Sequence, residues 1–129
     1  MRIAIVDDIE TERALLKMRL ERQLSLYGVE TEILEFGSSE SFLAAEKERH
    51  FTVVFLDIYR KGLSGMDAAK ELRKTDADCF LIFTTTSTDH ALEGFQVRAF
   101  HYLVKPFPRE NLPVCLLNCS LNFRVRSRF

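Results

Sequence analysis

Val53-Val54-Phe55-Leu56-Asp57-Ile58-Tyr59 is the stretch from which the fold can be read. From Thr52 to Leu56 the residues are apolar or β-branched without alternation. That pattern predicts a strand covered on both faces, in the middle of a parallel sheet. The run ends in a carboxylate and gives way to Lys61-Gly62-Leu63-Ser64-Gly65, a loop composition. Open α/β sheets gather ligands and reactive groups at the carboxyl ends of their strands, so Asp57 is expected at a site.

Four more strands flank this one in the sequence. Arg2-Ile3-Ala4-Ile5-Val6 is short and apolar and ends in Asp7-Asp8. Glu30 to Phe36 alternates charged and apolar residues, as a half-exposed edge strand does. Cys79-Phe80-Leu81-Ile82-Phe83 reads as buried on both faces and runs into Thr84-Thr85-Thr86-Ser87. Phe100-His101-Tyr102-Leu103-Val104 closes in Lys105-Pro106. Between them the period turns helical. Ile9 to Tyr27 carries Leu16, Leu20, Leu24 and Tyr27 on one stripe and stops at Gly28. A short helix with Phe42, Leu43 and Ala45 starts from the Gly37-Ser38-Ser39 turn and runs to about Arg49. Met66 to Lys74 forms a third, and Thr88 caps a fourth through Ala91, Leu92 and Phe95. The last runs from Arg109 to about Arg124, with Pro113 in its first turn. Five repeats of strand then helix predict one α/β domain: a five-stranded parallel sheet with right-handed crossovers and helices on both faces.

Composition narrows the partners. The 129 residues suit one domain with a real core, and 29% charged against 47% hydrophobic carries no signature of disorder. A net charge of -1 argues against a domain whose main partner is nucleic acid or an anionic membrane. Apolar runs are only strand-sized, which predicts no membrane span and no signal peptide. Three cysteines without a CxxC suggest reduced thiols in a cytoplasmic protein. Cys115 and Cys119 are four apart on the last helix, but two ligands with no nearby His make a poor metal site.

Parallel strands bring their carboxyl ends to one edge, and here those ends carry Asp7-Asp8, Asp57, Thr84-Thr85-Thr86 and Lys105. Carboxylates 4 Å apart repel by about 4 kcal/mol per pair at an effective dielectric of about 20. Such a cluster needs a cation. Lys105 supplies one charge, and oxygen donors without Cys or His suit magnesium rather than zinc. The chemistry favoured is phosphoryl transfer to the Asp57 carboxylate, with metal, Lys105 and a Thr hydroxyl around the phosphoryl oxygens. Neither GxxxxGK[ST] nor GxGxxG occurs, so nucleotide hydrolysis and dinucleotide redox have no support. Asp7-Asp8 could instead simply cap the first helix, but that leaves Asp57 and Lys105 unexplained. Tyr102 reads as core packing on its own, and the Thr run as strand propensity. His50, His90 and His101 are scattered and suggest no role.

The constellation resembles the receiver domain of two-component response regulators over nearly the whole chain. The matching residues are Val6-Asp7-Asp8, Phe55-Leu56-Asp57, Gly65-Met66-Asp67, Thr85, Tyr102 and Lys105-Pro106-Phe107. Four specified charged positions (Asp7, Asp8, Asp57, Lys105) would coincide by chance about once in 10⁵. The segments Ala91 to Phe95 and Ala99 to Phe107 look most like regulators with a LytTR-type DNA-binding output domain. The resemblance implies the flavodoxin-like strand order 2-1-3-4-5. It also implies Asp57 as phosphoacceptor, phosphorylated by a sensor histidine kinase. Mg²⁺ is then held by Asp8, Asp57 and the Tyr59 backbone carbonyl, with Asp7 acting through water. Thr85 and Tyr102 match the switch pair, Tyr59, Thr86 and Ser87 the positions that tune the reaction, and the Lys105–Pro106 bond is expected to be cis. Residues 1–124 then form the receiver, and 125–129 the end of the last helix or the start of a linker to an output domain.

Phosphorylation would change the surface of the fourth helix, fifth strand and fifth helix, where Phe95, Val97, Phe100 and Phe107 suit a homodimer or another partner. Nucleic acid would be met only through the output domain. Two departures touch the site: Arg60-Lys61-Gly62 replaces the proline common two before Leu63, and Thr86 replaces an alanine. The rival reading is a receiver-like interaction module that works without phosphorylation. A haloacid-dehalogenase-type phosphatase would want a second acid where Tyr59 stands. No turnover enzyme is expected.

Overall fold

The computed structural model describes residues 1–58, 64–86 and 96–106. Their elements run β1 (Arg2–Val6), α1 (Glu10–Ser25), β2 (Glu32–Phe36), α2 (Ser39–Glu48), β3 (Val53–Asp57), α3 (Gly65–Thr75), β4 (Phe80–Thr85) and β5 (Ala99–Val104). The five strands form one parallel sheet in the order β2-β1-β3-β4-β5. This is the flavodoxin-like α/β fold, with β3 at its centre and β2 at an edge. The helices expected from Thr88 and from Arg109, with Pro113, Cys115, Cys119 and the terminal linker, lie outside the described residues.

Every residue of β3 is buried, because the sheet is covered on both sides. The period-2 alternation of strand side chains sorts the core into two clusters. Ile3, Ile5, Val53, Phe55, Ile82 and Leu103 point to one face, where they meet Leu16, Leu20 and Leu24 of α1. Ala4, Val6, Val54, Leu56, Leu81 and Phe83 point to the other, against Phe42 of α2 and Ala68, Ala69 and Leu72 of α3. Phe42, Phe55 and Phe83 are fully buried, each contributing about 2–3 kcal/mol by removal from water. Phe36, Phe42 and Phe51 add a ring cluster with centroids 5.7–5.8 Å apart.

Some boundaries move from their expected places, for physical reasons. α1 ends at Ser25, and Gly28 with φ 67° takes the left-handed turn after it. Tyr27 therefore leaves the helical stripe and is exposed. β4 does not stop at Phe83, because Thr84 pairs with Asp57 and Thr85 with Val104. β-Branched threonines fit a buried ladder. β5 starts one residue early, and its register with β4 shifts between Leu81 and Ile82 so that Phe100 has no partner of its own. Val97, expected on a partner-facing surface, is instead part of the core.

Candidate functional site

Three strand ends and the residue pair after β5 build the site. Asp7 follows β1 directly, Asp57 is the last residue of β3 and Thr85 the last of β4. Asp7 and Asp57 are both buried, Thr85 is wholly enclosed, and Asp8 is exposed. Carboxylate oxygens of Asp7, Asp8 and Asp57 lie within 4.8 Å of one another. Lys105 reaches into this group from the far side of β4. Its Nζ donates to Asp7 Oδ2 at 2.8 Å and stands 3.7 Å from Asp57 Oδ2.

Backbone geometry aims that lysine. The Lys105 N–H donates to the Thr85 carbonyl at 2.7 Å, which extends the β4–β5 ladder by one bond, and the Lys105–Pro106 peptide is cis. Burial pulls the Lys105 pKa down, but the hydrogen bond it donates to Asp7 and the charges of Asp57 and Asp7 outweigh it, and the net direction is up. The ammonium is therefore fully charged at neutral pH.

Asp7 does not cap α1. The N-cap is Ile9, without a side-chain cap bond, while Asp7 Oδ1 accepts from the Ile9 N–H at 2.9 Å. Arg13 Nη1 donates to the Asp7 carbonyl at 2.7 Å and pins the turn from above. Nothing in the sequence pattern singled out Arg13, since its position on α1 reads as solvent-facing. On the other flank, Gly65 opens α3 against the backbone of β3. A Cβ there would run into the Asp57 carbonyl and the Ile58 Cα, so only glycine allows this approach. Ser64 caps α3 by accepting from the Asp67 N–H at 3.2 Å.

Of the remaining expected residues, Tyr102 is half-buried on β5 with its ring 5.2 Å from that of Phe83. Thr86 is exposed just past β4. Tyr59 and Ser87 lie outside the described residues. The donor set is all hard oxygen, which fits Mg²⁺ and gives zinc nothing soft to prefer.

The response regulator receiver domain pattern matches residues 3–116. The chain belongs to that family of two-component signalling proteins. Within it the chain is LytT-like. It is 32% identical over 105 residues to the sensory transduction protein LytT of Oceanobacillus iheyensis, covering 76% of this chain and 43% of that one. It is 38% identical over 128 residues to the positive alginate biosynthesis regulatory protein of Pseudomonas aeruginosa, covering 98% and 50%. The chain thus spans about half the length of these curated relatives. A receiver domain structure from Clostridium thermocellum aligns with TM-score 0.80 at 27% identity, over 96% of this chain and 97% of that one. The regulator TrrA of Thermotoga maritima, solved in complex with Mg(2+)-BeF, aligns with TM-score 0.71 at 28% identity, over 99% and 98%. Among the described residues no helix is long and apolar enough to cross a membrane.

Proposed function

We propose that this chain is a phosphorylation-switched receiver whose acceptor is Asp57. The observation that carries the reading is the Lys105 ammonium standing between two buried carboxylates, 2.8 Å from Asp7 and 3.7 Å from Asp57. In the reaction an Asp57 carboxylate oxygen attacks the phosphorus of a phosphohistidine on a sensor kinase. The P–N bond breaks, its electron pair stays on the imidazole, which takes up a proton, and Asp57 is left as an acyl phosphate. Lys105 holds a phosphoryl oxygen and balances its charge, and the Thr85 hydroxyl holds another.

Asp8, Asp57 and the Tyr59 carbonyl would hold Mg²⁺, which when bound neutralises charge on the transferring oxygens. Both Asp7 oxygens already have partners, Ile9 N–H on Oδ1 and Lys105 on Oδ2. That suits Asp7 to act on the ion through water. TrrA carries Mg(2+)-BeF, and the hard-oxygen cluster here is of the kind such a group needs. Thr85 and Tyr102 form the switch: the hydroxyl turns to the phosphoryl group and the ring follows inward beside Phe83. Thr86, Tyr59 and Ser87 tune the lifetime of the acyl phosphate.

The readout is the surface of the fourth helix, β5 and the fifth helix, which would govern homodimerisation or an output domain. Half of each curated relative extends beyond the matched region, and a LytTR-type DNA-binding domain after residues 125–129 would supply contact with nucleic acid. A cytoplasmic location, without turnover catalysis, belongs to the same reading. Incubation with acetyl phosphate and MgCl₂ followed by intact mass measurement tests it. Wild type should gain one phosphoryl group and Asp57→Asn none. Equal labelling of both, or none in either, would overturn the proposal, the second outcome favouring a phosphorylation-independent interaction module.

A further inference from the structure

A second convergence of donors lies at the opposite edge of the sheet, where the helices end and the strands begin. Glu46 is in the last turn of α2, His50 just beyond that helix, and Asp76 at the C-cap of α3. One ligand atom from each lies within 4.8 Å of the others. His50 Nδ1 is 2.7 Å from Glu46 Oε1 and 3.7 Å from Asp76 Oδ2.

Each carboxylate is oriented by its other oxygen. Glu46 Oε2 accepts from the Phe51 N–H at 3.3 Å, and Asp76 Oδ1 accepts from the Asp78 and Cys79 N–H groups at 3.0 Å each. The other oxygens, Oε1 and Oδ2, are thereby turned to the same imidazole nitrogen, Oε1 within hydrogen-bond distance of it. Backbone bonds that fix the rear of a carboxylate are the usual support for metal-ligating groups. Among the described residues the neighbouring guanidinium groups are bonded elsewhere. Arg2 Nη1 is bonded to the His50 carbonyl, and Arg73 Nη1 to the Asp76 and Cys79 carbonyls and the Cys79 sulfur.

Charge decides what belongs there. Glu46 is 1% exposed, so it stays ionised only with a positive partner close by. A protonated His50 balances only one of two carboxylates, whereas a dication with neutral His50 balances both. Zinc bonds of about 2.0–2.1 Å put tetrahedral ligands about 3.3 Å apart. The observed 2.7 and 3.7 Å separations fall on either side of that value, and the third pair of donor atoms lies within 4.8 Å, so an ion would enter by displacing the His50–Glu46 hydrogen bond. The His50 side chain is 68% exposed, which leaves the ion a way in and a fourth position open to solvent.

We propose that Glu46, His50 and Asp76 form a binding site for a borderline divalent transition-metal ion, with zinc as the type, that ties the end of α2 to the end of α3. The site is independent of the acid cluster and of phosphorylation. Zinc titration calorimetry in saturating MgCl₂, on the full chain, tests it. Wild type and Asp57→Asn should each bind one zinc ion with similar affinity, and His50→Gln should bind at least about tenfold more weakly. Zinc should also raise the Tm of wild type and leave that of His50→Gln unmoved. His50 is at the surface, so the variant is expected to fold. No zinc uptake by wild type, equal affinity in His50→Gln, or loss in Asp57→Asn would each overturn the proposal, the last by assigning zinc to the acid cluster.

Discussion

The two edges of the sheet solve one electrostatic problem with different parts. At the carboxyl edge Asp7 and Asp57 share Lys105, and all three side chains are nearly closed off from water. At the amino edge Glu46 and Asp76 share His50, whose ring is mostly in solvent. The first set stands on the ends of the central strands and on the residue that prolongs the β5 ladder, where ladder hydrogen bonds fix the backbone. The second stands on helix ends and the turns after them, about 15 Å away along β3. Burial on rigid strands holds charge in a fixed arrangement, ready for a reacting group. Exposure on helix ends makes a brace whose cation can exchange. Each edge thus sets one basic side chain between two acids, sealed from water at the carboxyl edge and open to it at the amino edge.

Lys105→Met should show the largest effect on stability. It leaves two buried carboxylates without their ammonium, and removal of one partner from a buried ion pair costs about 3–5 kcal/mol. Urea unfolding at neutral pH without Mg²⁺ reads the loss, and Lys105→Met combined with Asp57→Asn should recover part of it. His50→Gln should cost clearly less than Lys105→Met in the same assay. If the two variants lose equal stability, the contrast between a sealed edge and an open one fails.

Gly65→Ala comes next, and it tests how closely backbone is packed at the carboxyl edge. The added Cβ meets main chain at Asp57 and Ile58, which cannot rotate away as a side chain would. Overpacking of that kind costs about 1–3 kcal/mol. The displacement falls on Asp57 itself, so labelling by acetyl phosphate should slow as stability drops. A stable variant with unchanged labelling would show that α3 can back away from β3. At the start of α2, Ser38 accepts from the Ser41 N–H at 3.1 Å, and Ser38→Ala should cost about 1 kcal/mol in the same unfolding assay.

What could be read from the sequence follows the same division. A strand buried on both faces prints itself as an unbroken apolar run, so β3 and its terminal Asp57 are legible, and Asp7, Asp8 and Lys105 follow as polar residues at other strand ends. The amino edge leaves no such print. Glu46, between Ala45 and Lys47 on a half-exposed helix, reads as a solvent residue. His50 gains its partners only when α3 ends beside α2, bringing Asp76 to a residue 26 positions earlier. Sequence periodicity reports which face of an element is covered, and it carries no signal for helix ends that meet through the tertiary fold. Arg13 is illegible for a related reason: at the site it bonds a backbone carbonyl, which any residue at position 7 would offer.

The smallest effect is expected at Cys79, the residue leading into β4 at the amino edge. Burial pushes its thiol up to about 12, against a lesser downward pull from Arg73, whose Nη1 lies 3.3 Å from the sulfur. At pH 8 the thiolate is then about one part in 10⁴ of the native population, and alkylation needs the thiolate. Iodoacetamide at pH 8 should leave Cys79 unmodified in the native protein and label it in urea, as read by peptide mass. The linkage has a definite sign, because the native state holds this proton more tightly than the unfolded chain. The contribution of Cys79 to stability is full below about pH 9 and declines as pH rises from there toward about 12. Cys79→Ala should remove that decline. Rapid native labelling at pH 8 would mean that the amino edge opens to solvent far more often than its fixed carboxylates and the Arg73 bonds imply.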